Sequence, residues 1–470
     1  MIPHKEHIDK FPTRLLILLV IFSIAMIIWQ LILCKNGYAA GDTNTYIRAW
    51  ERLKTFHPDN MRPPVYPLFI GIIFDLFGRQ FGGVLILVTN WTIWVAGCRW
   101  SWFIMRYLNV GKITCNIVVI LMMIFPGVWV LNNMLQTEGV IIGSIPLLIW
   151  QLIRYCETRQ SKWILYGGGL LITYVFLKPQ FLFLIPLWGI AWIYATYRYR
   201  KQRLYSIAIV AAAFLSLGTY QYALYHCYLQ KQISTVSTIN NYYSMRMAGL
   251  IRVEEIEDSI ARETLRPYIE ADPGTDLPDY YLYWRETWLV SNNSLDEIWK
   301  NACRLHPKET CAFIWHRIPQ SLNYDIFYTR GHNRRAETPI DIAYHKVLNT
   351  EPRPDDPDIV YGKELFKVTP LTIGSLIYPL YGIMTIPFWI SWLIMISFTV
   401  WYCVAWWKQK HFPVVLFFMA AILWGGYAVA FIGAPCDWGR LVTPYCMILF
   451  STGGILFSNI KKITFSKWVR

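Results

Sequence analysis

Apolar runs long enough to cross a bilayer recur along this chain, at residues 15–33, 82–103, 204–225, 383–407 and 413–432. About 18 apolar residues wound as a helix span the hydrocarbon core, so each run reads as a transmembrane helix. Shorter runs at 113–125, 139–153, 163–177, 181–197 and 441–457 bring the expected total to about ten spans. Segments 65–77 and 371–380 are too short to cross and read as re-entrant or interfacial; if they cross, the total is about eleven or twelve. The first run follows Lys5, Lys10 and Arg14 and precedes Gly37-Tyr38-Ala39, a pattern shared with signal peptides. It is longer than a signal peptide's apolar region, so it reads as a retained first helix.

Charge gives the direction of threading. Lys5, Lys10 and Arg14; Arg99, Arg106 and Lys112; Arg154, Arg159 and Lys162; Arg198, Arg200, Lys201 and Arg203; Lys408 and Lys410; and Lys461, Lys462, Lys467 and Arg470 fall in alternate connections. The acids there are Glu6, Asp9 and Glu157. Basic loops stay in the cytoplasm, so both termini are expected there and the large polar segment outside, on the periplasmic side if the source is bacterial. A net charge of +14 would suggest nucleic acid in a soluble chain. Here the basic loops account for most of it, and the expected partner is the bilayer, not nucleic acid. Charged residues make up 16% of the chain, against roughly 25% in soluble domains. The ten cysteines show neither Cys-x-x-Cys nor zinc spacing. Cys303 and Cys311 share the external segment, and their pairing is open.

Three parts follow. Residues 1–225 form an N-terminal transmembrane module whose first external loop covers 34–67. Residues 226–369 are polar, carry most of the acids and several prolines, and at roughly 140 residues can bury a core of their own. Helical patterns are expected there at 252–269 and 294–305. Residues 370–470 form a C-terminal transmembrane module. The expected fold class is mainly α: a polytopic membrane protein with interfacial helices in the first external loop and a mainly helical external domain. No internal duplication is visible.

The first external loop runs Gly41-Asp42-Thr43-Asn44-Thr45-Tyr46, through Ala49-Trp50, to Arg62-Pro63-Pro64-Val65-Tyr66-Pro67-Leu68. Tyr46, Trp50, Leu53 and Phe56 recur at helical spacing, with Arg48, Glu51, Arg52 and Lys54 largely opposite, which predicts an amphipathic helix in the membrane interface. This motif resembles the first external loop of GT-C glycosyltransferases, the multi-pass enzymes that include protein O-mannosyltransferases and lipid A aminoarabinose transferases. That family often carries an Asp-Glu pair here; in this chain Thr43 follows Asp42, so a second carboxylate comes from elsewhere or is not needed. The resemblance implies transfer of a sugar from a polyprenyl-phosphate donor, with inversion and direct displacement, to an acceptor lipid, glycan or protein.

Asp42, Arg62, Glu138, Lys178, Asp437 and Arg440 all stand at external span ends, at one depth. Ionisable groups near a membrane usually face a cavity or a partner. Asp42 is the candidate general base for the acceptor hydroxyl; it also sits where a helix N-cap belongs. Glu138 matches an acidic position of the family and is the second catalytic candidate, with a helix-dipole charge as the bland alternative. Arg62, Lys178 and Arg440 match basic positions that would hold the leaving phosphate; interfacial snorkelling is the alternative. Tyr46, Tyr66, Asp325 and His332 are candidate acceptor contacts, the last within Arg330-Gly331-His332-Asn333-Arg334-Arg335, which also reads as a solvated basic loop. Trp284, Trp288, Trp299 and Trp315 could stack on a sugar, but at helical spacing they read as core. No cofactor is called for with certainty, and a divalent metal near Asp42 and Glu138 is left open. A transporter or flippase of lipid-linked sugars would share the spans and cations, and a polysaccharide polymerase or ligase would share the donor. Charges at span ends and the lack of half-to-half duplication favour transfer over transport.

Overall fold

The computed structural model describes residues 10–33, 43–271, 286–322, 388–409, 412–433 and 441–468. Each expected span that falls there is helical. The order is α1 (Thr13–Leu33), α2 (Thr43–Lys54), α3 (Val65–Tyr107), α4 (Lys112–Met123), α5 (Pro126–Asn132), α6 (Thr137–Thr158), α7 (Lys162–Leu177), α8 (Leu184–Ala195) and α9 (Arg200–Tyr228). Then come α10 (Thr235–Met247), α11 (Ser259–Ala271), α12 (Asn292–Leu305), α13 (Pro307–Leu322), α14 (Phe388–Gln409), α15 (Val414–Gly433) and α16 (Cys446–Trp468). The expected interfacial segment 371–380 lies outside the described residues.

Among the described residues, five helices are long and apolar enough to cross a membrane: α3, α6, α9, α14 and α15. The apolar stretch of α6 is 72% buried and that of α9 only 17%, so α6 is the centre of the bundle and α9 its rim. The rim exposes Leu204, Ile207, Phe214 and Leu215, the surface of a helix meant to face lipid. At the centre, α3 and α6 touch backbone to backbone: a Cβ built on Gly97 would lie 2.3 Å from the Gly143 carbonyl oxygen. Small residues are what allow that approach between membrane helices.

The helix α3 breaks at Gly78, whose φ of 71° and ψ of 163° interrupt the helical backbone. Only glycine adopts that conformation without strain. Residues 65–77 therefore form a separate short helix, and it packs along α2. The Trp50 ring lies over Gly71, where a Cβ would come within 2.1 Å of it. Trp50 Nε1 donates to Asp75 Oδ2 at 3.0 Å, and Lys54 Nζ lies 3.6 Å from the same oxygen. Charged Asp75 and its partners on an amphipathic helix favour an interfacial helix pair over a crossing. The stripe expected on α2 holds for Tyr46, which is buried, and stops before Phe56. That residue is 96% exposed and left-handed, with φ of 58°, so it lies beyond the helix end.

A second apolar core gathers Tyr242, Met245, Leu250, Leu265, Leu295 and Ala302 from α10 to α12 and the connection after α10. The helix expected at 252–269 begins only at Ser259. Asp258 stops it: its carboxylate accepts from the backbone N–H groups of Ile260 at 3.0 Å and Ala261 at 3.2 Å, as an N-cap does. The Ser294 hydroxyl donates to Asp258 as well, and with the Ala261 N–H it holds this carboxyl below its usual range. The helix expected at 294–305 is α12. Trp299 packs on this core, but Trp288 and Trp315 are exposed, which corrects the core expectation for both. The helix α13 turns Arg317 inward, so Trp315, two positions and about 200° away, faces outward. Trp284 lies outside the described residues. Cys303 and Cys311 are free.

Under this core, Arg246 and Glu286 are both fully buried and form two N–H···O contacts of 2.9 Å, while the Tyr242 hydroxyl donates to Glu286 at 2.6 Å. Burial, then the Glu286 carboxylate, holds the Tyr242 phenol un-ionised well above its ordinary range. Removing one partner of a buried pair leaves the other charge uncompensated, which costs about 3–5 kcal/mol. Arg246→Met is accordingly expected to speed limited proteolysis of residues 235–322 in detergent. Arg246→Met combined with Glu286→Leu should restore most of the resistance.

Candidate functional site

The turn at residues 57–62 sets the position of Arg62. Pro58-Asp59-Asn60 is a turn-forming run, and the buried Asp59 organises it. Its Oδ1 accepts from the backbone N–H groups of Met61 at 2.9 Å and Arg62 at 2.8 Å; its Oδ2 accepts from Arg52 at 2.9 Å. The turn is strapped from outside by the end of α9 and the chain after it. Tyr220 donates to the Asp59 carbonyl at 3.1 Å, Tyr228 to the Pro58 carbonyl at 2.8 Å and Ser234 to the Met61 carbonyl at 2.7 Å. The distribution of apolar and charged residues did not flag Asp59; the Pro-Asp-Asn signature in a loop is the signal that could have.

So held, Arg62 donates through Nε to the Thr45 hydroxyl at 2.7 Å, and its guanidinium carbon lies 4.7 Å above the Tyr46 ring. Tyr46 meets Tyr66 edge to face at 4.7 Å between ring centroids. Beyond Tyr66 lies Glu138, within electrostatic reach of its hydroxyl. Glu138 stands in the first turn of α6, where the helix dipole favours an anion. It is 1% exposed, accepts from the Thr137 hydroxyl at 2.9 Å, and pairs with Lys178 Nζ at 2.6 Å. Lys178 is delivered by the extended residue that ends α7 before Pro179. The Thr43 hydroxyl donates to the Leu135 carbonyl at 3.1 Å, which ties the start of α2 to the segment leading into Glu138.

Five of the candidates thus fall in one place: Tyr46, Arg62, Tyr66, Glu138 and Lys178. Asp42, Arg440, Asp325 and His332 lie outside the described residues. The cluster offers an oriented planar cation, an aromatic wall and a buried carboxylate–ammonium pair at one end of an apolar bundle. A cation on an aromatic face with a fixed hydrogen bond suits a phosphate oxygen. Among the described residues no group of three or more His, Cys, Asp and Glu side chains is placed to hold a metal ion. Of the two carboxylates expected near a metal, Glu138 is paired with the Lys178 ammonium, and Asp42 lies outside the described residues.

The chain matches no protein-family model and no curated protein. Solved structures of two GT-C glycosyltransferases superpose on it loosely. The oligosaccharyltransferase of Archaeoglobus fulgidus aligns over 97% of this chain and 51% of its own, at 12% identity and a TM-score of 0.46. ArnT of Cupriavidus metallidurans bound to undecaprenyl phosphate aligns over 94% of this chain and 78% of its own, at 10% identity and a TM-score of 0.35. The chain spans about half the length of the archaeal enzyme. Superpositions this loose leave the functional reading to the side chains.

Proposed function

We propose that this chain is a GT-C-like glycosyltransferase that moves a sugar from a polyprenyl-phosphate donor to an acceptor lipid, glycan or protein on the external face of the membrane. The observation that carries the reading is Arg62, fixed by the Asp59 turn, Thr45 and Tyr46, beside the Glu138–Lys178 pair. In this reading residues 1–225 and 370–470 are membrane modules with both termini cytoplasmic, and residues 226–369 are external. Asp42 removes the acceptor proton as its oxygen attacks the anomeric carbon. The bond from that carbon to the phosphate oxygen breaks with inversion, and the phosphate leaves with the electron pair. Arg62, Lys178 and Arg440 stabilise its charge; Glu138 keeps Lys178 in position; Tyr46, Tyr66, Asp325 and His332 contact the acceptor.

Only interactions stronger in the transition state than in the ground state raise turnover. Arg62→Ala is expected to lower turnover on the order of 100-fold while weakening donor binding far less, the usual loss for one oriented donor at a developing anion. Arg62→Lys should recover part of it, because Lys keeps the charge and loses the fork. The assay is transfer of radiolabelled sugar in proteoliposomes. Wild-type turnover in a folded Arg62→Ala protein removes Arg62 from the site. Labelled lipid that changes leaflet without forming a new glycoside points to a flippase instead.

A further inference from the structure

The rim helix α9 starts within a run of cations, Arg198, Arg200, Lys201 and Arg203. The connection between α6 and α7 is tied onto this run. Gln202 accepts from the Tyr155 hydroxyl near the end of α6 and donates through Nε2 to the Arg159 carbonyl at 2.9 Å. Tyr199, between Arg198 and Arg200 in the chain, carries the Arg159 guanidinium over its ring, 5.7 Å from carbon to centroid. Arg159 and the four cations of the run thus share one corner of the bundle. Glu157 is the only acid between Glu138 and Glu254 in the sequence, and it pairs with Arg154 at 2.7 Å. Among the described residues, none of the corner cations forms an ion pair. Arg198, Arg200 and Lys201 are exposed, so their charge is open to a partner.

The same corner adjoins surface that faces lipid. Arg200, Leu204, Ile207, Ala211 and Leu215 follow one another at steps of four, three, four and four along one face of α9, and all are exposed. From Leu204 to Leu215 the stripe rises roughly 16 Å, one leaflet's share of a hydrocarbon core about 30 Å thick. Cations at the end of such a stripe fit an amphiphile with an anionic head. A soluble anion uses the cations and leaves the stripe bare; a neutral phospholipid covers the stripe and leaves the cations unmatched. Threading bias accounts for cations in these connections, but not for two connections bonded into one corner. By contrast Arg106, in another basic connection, is turned onto the Val110 carbonyl. We infer that Arg159, Arg198, Arg200, Lys201 and Arg203, with the Leu204–Leu215 stripe, bind an anionic phospholipid of the leaflet that meets this end of α9. Tyr220, which straps the Asp59 turn, lies further along α9, roughly 30 Å from Arg200, so this corner is not the Arg62 site. The binding needs only that α9 meets lipid, whatever the enzyme transfers.

The test titrates the delipidated whole chain in detergent with phosphatidylglycerol, with phosphatidylcholine of the same acyl chains, and with glycerol phosphate, and reads bound lipid by native mass spectrometry. Wild type is expected to bind phosphatidylglycerol on the order of 10-fold more tightly than phosphatidylcholine, since each Lys or Arg near an anionic headgroup adds attraction. A triple variant, Arg198→Gln with Arg200→Gln and Lys201→Gln, should erase most of that preference. Arg200→Gln alone should erase part of it, which decides the matter should the triple variant melt early. Lys10→Gln with Arg14→Gln removes exposed cations at the start of α1 and should keep the preference. Glycerol phosphate at matched concentration should not displace the lipid. The inference fails if wild type binds the two lipids alike, if the triple variant and Arg200→Gln keep the preference, or if the Lys10 and Arg14 control loses as much, which would make the effect one of net charge. Displacement of the lipid by glycerol phosphate would make the corner a site for a soluble anion and overturn it as well.

Discussion

Lys178→Met is expected to destabilise the bundle by about 3–5 kcal/mol, and Lys178→Met combined with Glu138→Leu to recover most of that stability but none of the transfer activity. The Glu138 carboxylate is 2% exposed at its side chain and lies 2.6 Å from Lys178 Nζ. Without that ammonium, the buried carboxylate loses a counter-ion at 2.6 Å, and the desolvation it already carries is less well offset. Replacing both groups by apolar side chains of similar length removes the uncompensated charge, and such replacements are often neutral or stabilising. The pair's contribution to folding is therefore small, although breaking it is severe. What the double variant lacks is the cation that shares the phosphate charge and the carboxylate that aims it. Thermal unfolding in detergent reads the first effect and radiolabelled transfer the second. A double variant that is stable and transfers normally would show that the pair is structural and touches no substrate.

Parts of this fold are legible in the residues alone, for reasons of length and periodicity. A run such as 413–432 has one stable solution in lipid, and it is the helix α15. The shortness of the apolar run 65–77 signalled a separate element, and the structure shows it set off by Gly78 and bonded to α2 through Asp75. Phe56 was not legible as a helix end, because its left-handed backbone is unusual for an aromatic residue and no proline or glycine adjoins it. The late start of α11 was partly legible: Asp258 before Ser259 is a capping signal that the apolar periodicity of 252–269 overrode.

The candidate site divides the same way. Glu138 and Lys178 stand out singly as charges at span ends, but their pairing joins positions 40 apart in the chain, which no local pattern encodes. Arg246 and Glu286 are hidden for the same reason. In a polar segment both read as ordinary surface charges, and only the fold shows them buried together. Gln202 carries no charge and matches no motif. Its interest comes entirely from tying Tyr155 to the Arg159 carbonyl, a property of packing.

Asp42→Asn separates base from cap, and it is expected to abolish transfer while leaving folding, membrane insertion and donor binding nearly intact. Asp42 directly precedes Thr43, the first residue of α2, and its side chain lies outside the described residues. Asn is about as good an N-cap as Asp, since its side-chain oxygen still accepts a backbone N–H. It cannot take a proton from the acceptor hydroxyl at neutral pH, and general-base catalysis typically contributes about 100-fold to 10,000-fold. Asp42→Glu keeps the carboxylate but moves it by about one carbon–carbon bond, and misplacement of about 1 Å can cost roughly 100-fold. That variant should be slow and measurable. Transfer and melting temperature are measured in parallel on the same preparations. If Asp42→Asn transfers at near the wild-type rate, Asp42 is a cap. The base then has to be sought elsewhere, and Glu138 leads, provided the Lys178 ammonium can yield its carboxylate to an acceptor hydroxyl.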